Sequence, residues 1–300
     1  MTRVRHLLEW ILLATARRAI RCLPRRAALA LGAVTGEIAY RFGIRRRVVL
    51  SNLALAFPEW TATQCRRVAR RMYQNTGRTF VECLLLVSPS PDQIDRMVEG
   101  VEGREFLEWV GGVQKPFIVV TGHVDNWELM GAYFARHGFR LKVIAKPLHN
   151  PRVEAALLAM RQSCGYEVLY TGEGLKPGLR HLRDGGVLVF LADQDARRAG
   201  IAVPFFGAPA STALGPAVFA LLARVPILPV FALRVGKTRH RFRFFPPIEP
   251  PLSEKREVAL ERLTYAHVEV LEHIVRKYPE QYFWFHRRWK TPPQKTRGGK

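Results

Sequence analysis

Phe117-Ile-Val-Val-Thr-Gly-His-Val-Asp-Asn-Trp-Glu128 is the stretch on which the reading of the fold turns. Its first five residues are apolar or β-branched and predict a buried strand. A short polar turn then carries His123, and a helix opens around Asn126. Downstream, β-rich runs at residues 141–145, 166–170, 187–191 and 227–231 alternate with helical stretches near 127–137, 151–164, 174–184 and 212–223. Such alternation predicts an α/β fold, a layered core with a mostly parallel sheet flanked by helices. Residues 240–245 alternate polar and apolar and predict an edge or antiparallel strand, and 252–277 a long amphipathic helix. Upstream, Pro58, Pro89 and Pro91 punctuate helical patterns over 61–87 and 91–110. The GxxxxGK[ST] and GxGxxG loops are absent from the sequence, which argues against a nucleotide enzyme.

Composition narrows the partners. The 300 residues are 48% hydrophobic, enough for one or two packed domains. Lys and Arg outnumber Asp and Glu by 47 to 25, a net charge of +22. Nucleic acid, an anionic membrane surface, an acidic protein and phosphorylated substrates all suit that charge. Cys22, Cys65, Cys83 and Cys164 stand far apart, without a disulfide or zinc pattern, so a reducing compartment is expected. Within residues 1–50, eleven Arg face two acids, Glu9 and Glu37. The apolar stretch from Leu7 to Ala16 is ten residues long, half of the roughly 20 that a hydrocarbon core requires. Arg17-Arg18 follows it at once and Glu9 interrupts it, unlike a signal peptide. Ala27 to Phe42 is a second apolar segment, followed by Arg45-Arg46-Arg47. Apolar faces alternating with Arg clusters predict N-terminal helices that associate with an anionic bilayer surface, against the plainer alternative of amphipathic helices packed on the protein.

The chemistry-bearing residues fall at strand ends, where α/β folds place their sites. Five positions after His123, Glu128 is within reach of one imidazole nitrogen, which would fix the tautomer and leave the other nitrogen as a general base. Asp125 with Glu128 also fits a capping box, in which Glu128 ties back to the backbone. No GxSxG elbow is present and no cysteine sits in a nucleophile setting, so His123 would activate a hydroxyl of the substrate itself. Ala192-Asp-Gln-Asp195 follows another predicted strand, on the same edge if the two are parallel. Arg161, on a helix after Asn150-Pro151, is suited to an anion or a developing oxyanion. Asn126, Asp193, Gln194 and Asp195 join it as candidates for holding substrate or oxyanion.

Residues 121–128 resemble the HxxxxE signature of the lysophospholipid acyltransferase superfamily. Further segments resemble its late lipid A acyltransferase branch, the lauroyl and myristoyl transferases. They are Arg45-Arg-Arg-Val-Val-Leu-Ser-Asn-Leu-Ala-Leu-Ala-Phe-Pro58, Ala192-Asp-Gln-Asp195, Val203-Pro-Phe-Phe-Gly207 with Ala210-Ser-Thr212, and Pro279-Glu-Gln-Tyr-Phe-Trp-Phe-His-Arg-Arg-Trp-Lys290. The resemblance implies an enzyme on the cytoplasmic face of the inner membrane that moves a fatty acyl chain from acyl carrier protein to a hydroxyl of a Kdo-bearing lipid A precursor. It implies His123 as general base, Glu128 as the carboxylate orienting it, Arg161 at the oxyanion or donor, and no metal or cofactor. It divides the chain into a membrane-associating segment 1–45, an acyltransferase domain 46–292 and a basic tail 293–300. Relatives commonly carry Gly where this chain has Asp125, and a carboxylate beside the base would raise the histidine pKa or repel an anionic acceptor. Phe205, Phe206 and Trp127 are examples of bulky residues that would line a groove measuring the acyl chain. Two other readings remain. One is an acyltransferase for another glycolipid, such as phosphatidylinositol mannoside, using acyl-CoA. The other is a nucleic-acid binder presenting Tyr282, Phe283, Trp284, Phe285, Arg287, Arg288 and Trp289. Since the charge concentrates beside membrane-seeking segments, no nucleic-acid partner is expected.

Overall fold

A computed structural model describes residues 2–86, 89–109 and 115–291. The chain begins with helices α1 (Thr2–Arg21), α2 (Arg25–Arg41), α3 (Arg46–Ala56) and α4 (Ala62–Leu85). Then come α5 (Pro91–Met97), β1 (Val98–Glu102) and α6 (Arg104–Trp109). The helix expected over 91–110 is therefore interrupted by a strand, while residues 87, 110 and the tail 293–300 lie outside the described residues. The alternating half of the chain runs β2 (Phe117–Thr121), α7 (Trp127–Arg136), β3 (Leu141–Ala145), α8 (Pro151–Ser163), β4 (Glu167–Tyr170), α9 (Leu175–Arg183) and β5 (Val187–Leu191). A hairpin of β6 (Ile201–Phe205) and β7 (Ala208–Thr212) follows, which the sequence reading did not separate from loop. Next are α10 (Gly215–Ala223), β8 (Ile227–Val235), β9 (Arg239–Phe244) and α11 (Arg256–Lys277).

The main sheet has the order β1-β9-β8-β2-β5-β3-β4. β8, β2, β5, β3 and β4 are parallel, and β9 pairs antiparallel with β8. β9 is not at the edge, because β1 covers it. Side chains of β2 point alternately to two faces. Phe117 and Val119 pack with Leu129, Met130 and Phe134 of α7 and Met160 of α8. Ile118 and Val120 pack with Leu182 of α9, Phe219 of α10 and Leu263 of α11. A strand buried on both sides is expected to be apolar, and β2 is from Phe117 to Val120, with buried Thr121 at its end.

The N-terminal helices pack on α4, which starts with a Thr61–Gln64 capping box, while α1 also meets α8 and α3 the C-terminal segment. The crossing of α2 over α4 is close because glycines meet there. A Cβ on Gly77 would stand 1.9 Å from the carbonyl oxygen of Gly32, and one on Gly36 would stand 2.0 Å from that of Tyr73. The Glu9 that interrupts the apolar face of α1 is held by the Asn150 amide at 2.8 Å, and the Arg152 guanidinium lies over the Trp10 ring. Among the described residues no helix is long and apolar enough to cross a membrane. Gly77→Ala is expected to force α2 and α4 apart at a cost of roughly 1–3 kcal/mol, read as a lower thermal midpoint. An unchanged midpoint would contradict the close crossing.

Candidate functional site

Parallel pairing of β2 with β5, with Thr121 beside Leu191, brings the ends of both strands to one edge. The carbonyl of Thr121 accepts from the Ala192 N–H at 3.1 Å, extending the pairing one step past the strands. Gly122 comes next, and any Cβ there would stand 2.7 Å from a Leu271 methyl and 3.4 Å from Asp193. The missing side chain makes room for Leu271 of α11 beside the turn, and the Asp193 carboxylate closes on His123. One oxygen accepts from the His123 backbone N–H at 2.8 Å, and the other lies 2.7 Å from Nδ1. Gripping the residue at ring and backbone together fixes the imidazole plane and favours the tautomer with the proton on Nδ1. Asp193 is buried, which opposes its charge, yet His123 and then Arg288 hold its pKa below the ordinary aspartate value.

Nε2 of His123 is left facing outward, 3.4 Å from the amide nitrogen of exposed Gln194. Beside it opens a recess lined by Asn75, Thr76, Phe80 and Cys83 of α4 together with Trp127 and Phe283. The Trp127 ring meets the imidazole edge-on at 4.7 Å. One wall thus comes from α4, an element about forty residues upstream that the sequence reading did not place at the site.

Glu128 does not reach the imidazole. As the second residue of α7 it turns toward α8 and β4, where Arg161 binds it through Nε at 3.0 Å and Nη2 at 2.6 Å. The Tyr166 hydroxyl donates to it at 2.5 Å and the Trp127 indole N–H at 3.1 Å. Burial works against its charge, and the Arg161 bonds outweigh that to keep the pKa below the usual glutamate value. The carboxylate that orients His123 is therefore Asp193, where the spacing pointed to Glu128. Arg161 spends two of its nitrogens on Glu128 instead of standing open for an oxyanion. Through Trp127, whose ring flanks the His123 imidazole, the Glu128–Arg161 pair still borders the site.

The other expected positions separate as clearly. Asn126 is the N-cap of α7, accepting from the Leu129 N–H at 2.9 Å, so the capping box read at Asp125 and Glu128 does not form. Fully buried, Asn126 also donates to Glu82 at 3.1 Å and has no face toward the recess. Asp195 accepts from Thr291 at 2.8 Å, and its N–H donates to His286 at 2.7 Å. Asp125, expected beside the base, points beneath the turn to Arg234 at 2.9 Å and to His240. Its φ of +44° explains why glycine suits this position, and why an aspartate, among the residues that tolerate the left-handed region, is a workable substitute.

The C-terminal segment straps this turn in place. The Asp125 N–H donates to the Gln281 carbonyl and the Phe283 N–H to the His123 carbonyl, each at 2.9 Å. Asn52 of α3 holds the strap through the carbonyls of Trp284 and His286. Arg288 is buried against the carbonyl of Ser211 and the hydroxyl of Thr212, and the Trp289 indole reaches the Phe205 carbonyl. Phe205 and Phe206 pack with Phe57, Trp284 and Trp289. They contribute to this cluster, while Trp127 stands in the recess. Tyr282, Trp284 and Arg288 are buried, which removes them from the stacking surface that a nucleic-acid binder would need.

The sequence model described as "Bacterial lipid A biosynthesis acyltransferase" matches residues 1–291. Lipid A biosynthesis lauroyltransferase of Escherichia coli is 27% identical over 91% of this chain and 88% of its own. The lipid A biosynthesis myristoyltransferase of the same organism is 25% identical over 85% of this chain and 79% of its own. Phosphatidylinositol mannoside acyltransferase of Mycobacterium tuberculosis is 26% identical over 48% of this chain and 46% of its own. Among solved structures, the 1-acyl-sn-glycerophosphate acyltransferase PlsC of Thermotoga maritima is similar at 15% identity and a TM-score of 0.36, covering 83% of this chain and 98% of that one. With the family model spanning the whole of the strand-edge site and the segments that brace it, the chain belongs to the bacterial lipid A biosynthesis acyltransferases, and it is an acyltransferase.

Proposed function

We propose that the protein transfers a fatty acyl chain from the thioester of acyl carrier protein to a hydroxyl of a Kdo-bearing lipid A precursor, with His123 as general base. The observation that carries this reading is the His123–Asp193 pair, which turns Nε2 outward beside an aromatic-walled recess, with the Gln194 amide 3.4 Å away. The acceptor hydroxyl gives its proton to Nε2 as its oxygen attacks the thioester carbonyl. Asp193 stabilises the imidazolium that forms, general base catalysis of this kind contributing roughly 10²–10⁴ in rate. The tetrahedral intermediate collapses with departure of the carrier thiolate, which takes up the proton from Nε2. The amide of Gln194 is the donor assigned to the oxyanion, and such a donor contributes about 10²–10³.

The reaction site is the cytoplasmic face of the inner membrane. Supporting this, Leu8, Leu12, Phe42 and Ile44 are well exposed on and between the first helices, at 61%, 72%, 82% and 57%. Arg17, Arg18 and the Arg45–Arg47 cluster lie in the same part of the chain. Each basic residue near an anionic leaflet contributes about 1 kcal/mol. The remaining positive charge suits both an acidic carrier and a phosphorylated acceptor.

A phosphatidylinositol mannoside acceptor with acyl-CoA is the second reading, supported by the match to the mycobacterial enzyme over about half of each chain. Mass spectrometry of lipid A from cells with and without the gene separates the two: loss of one secondary acyl chain is expected, and an unchanged lipid A would overturn the first reading. His123→Ala and Asp193→Asn are each expected to lower transfer by roughly 10²–10⁴ while circular dichroism and membrane binding stay as in the wild type. Wild-type turnover in His123→Ala would exclude it as the base. Leu8→Glu with Leu12→Glu should abolish co-sedimentation with phosphatidylglycerol vesicles and leave the thermal midpoint in place; undiminished binding would argue against the apolar face of α1 as the membrane contact.

A further inference from the structure

Beneath the catalytic turn lies a closed group of charges contributed by separate elements. Asp125 comes from the turn, Glu82 from α4, Arg234 from β8 and His240 from β9, and all four side chains are buried. Arg234 bridges the carboxylates, 2.7 Å from Glu82 and 2.9 Å from Asp125. The two ring nitrogens of His240 face different carboxylates, Nδ1 toward Asp125 and Nε2 toward Glu82 at 3.1 Å. An ionised carboxylate only accepts, so both nitrogens have to carry hydrogen and the ring is an imidazolium. Two anions then balance two cations inside the protein, with Arg25 of α2 bound to Glu82 at the rim. Removing one member leaves another charge buried without compensation.

This group holds the backbone that carries the base. Asp125 occupies the left-handed region two residues after His123, and its N–H is tied from the other side to Gln281. The Gln281 side chain in turn pairs with both the N–H and the carbonyl of Arg234. Arg234 therefore grips the turn twice, through the Asp125 carboxylate and through the strap.

We propose that Asp125, clamped by Arg234 and a doubly donating His240, is a positioning residue that sets where His123 stands, and that the clamp loosens when His240 loses its proton. This rests on His123 being the base. Burial opposes the charge on His240, and Asp125 and Glu82 outweigh it to hold the imidazole up at about 9. The folded pKa is raised, so the stabilisation is complete below the ordinary histidine value and is lost as pH climbs through about 9. The other charged groups acting on the cluster are Arg25 and Arg78, both of which interact with Glu82 and Arg234.

The test is acyl transfer by the full-length enzyme in lipid, measured from neutral pH to above 9, with circular dichroism at each pH. The wild type is expected to lose kcat on the alkaline side with a midpoint near 9 while staying folded. Asp125→Asn and His240→Gln are expected to lose roughly 10- to 100-fold in kcat at neutral pH, the scale of a small misplacement of a catalytic group, with little change in KM and without that alkaline limb. Wild-type kcat in folded Asp125→Asn, or the same alkaline limb in His240→Gln, would overturn the clamp. If both variants fail to fold, Asp125→Gly removes the carboxylate without left-handed strain and decides by the same readout, as does a wild-type profile that is flat across the range. An inactive His123→Ala beside a fully active Asp125→Asn would sink the clamp alone, whereas an active His123→Ala would sink the base assignment.

Discussion

Two parallel strands ending side by side are the constraint behind everything at this site. β2 and β5 are paired in register up to Thr121 and Leu191, so the residues that follow them emerge at one edge without any loop having to carry them there. His123 and Asp193 are seventy positions apart in the chain, yet the sheet delivers them to within hydrogen-bonding distance. The two faces of β2 are closed by different helices, which fixes the height of that edge from both sides. What remains adjustable is the short turn after Gly122, and most of the unusual interactions of the molecule gather around it.

That gathering explains why separated stretches of sequence resemble the family together. The segment at residues 45–58 supplies Asn52, which holds the strap at 279–290; the strap holds the carbonyl of His123; Asp195 and Thr212 hold the strap in return. Each stretch taken singly reads as an aromatic or basic run of uncertain use. Their shared purpose is to enclose one turn, and the buried Arg288 is a core residue of that enclosure and not a surface cation.

The layered fold was legible because β-branched runs and helical periodicity are local properties, and the strands at 117–121, 141–145 and 187–191 fall where the residues indicate. The strand at 98–102 was not, since Val-Glu-Gly-Val-Glu lies between helix-like patterns and becomes a strand only by pairing with β9. At the site, His123 and the polar residues after β5 were visible as strand-end chemistry. A five-residue spacing suggests that Glu128 lies near the imidazole, whereas the left-handed Asp125 and the N-cap at Asn126 send Glu128 to Arg161 and Tyr166 and leave Asp193 against His123. Glu82, Arg234 and His240 carry no local signal at all. Their roles arise from contacts spanning more than a hundred residues.

Helix α8 has a consequence beyond its place in the layer. At its first turn Asn150 fastens α1 through Glu9, and near its other end Arg161 fastens the Glu128 beside the recess. A helix of 13 residues is a strut of about 20 Å. The first helix is thereby tied through a strut of protein to the residues beside His123, so the distance between them is set by the length of a helix and not by a flexible loop.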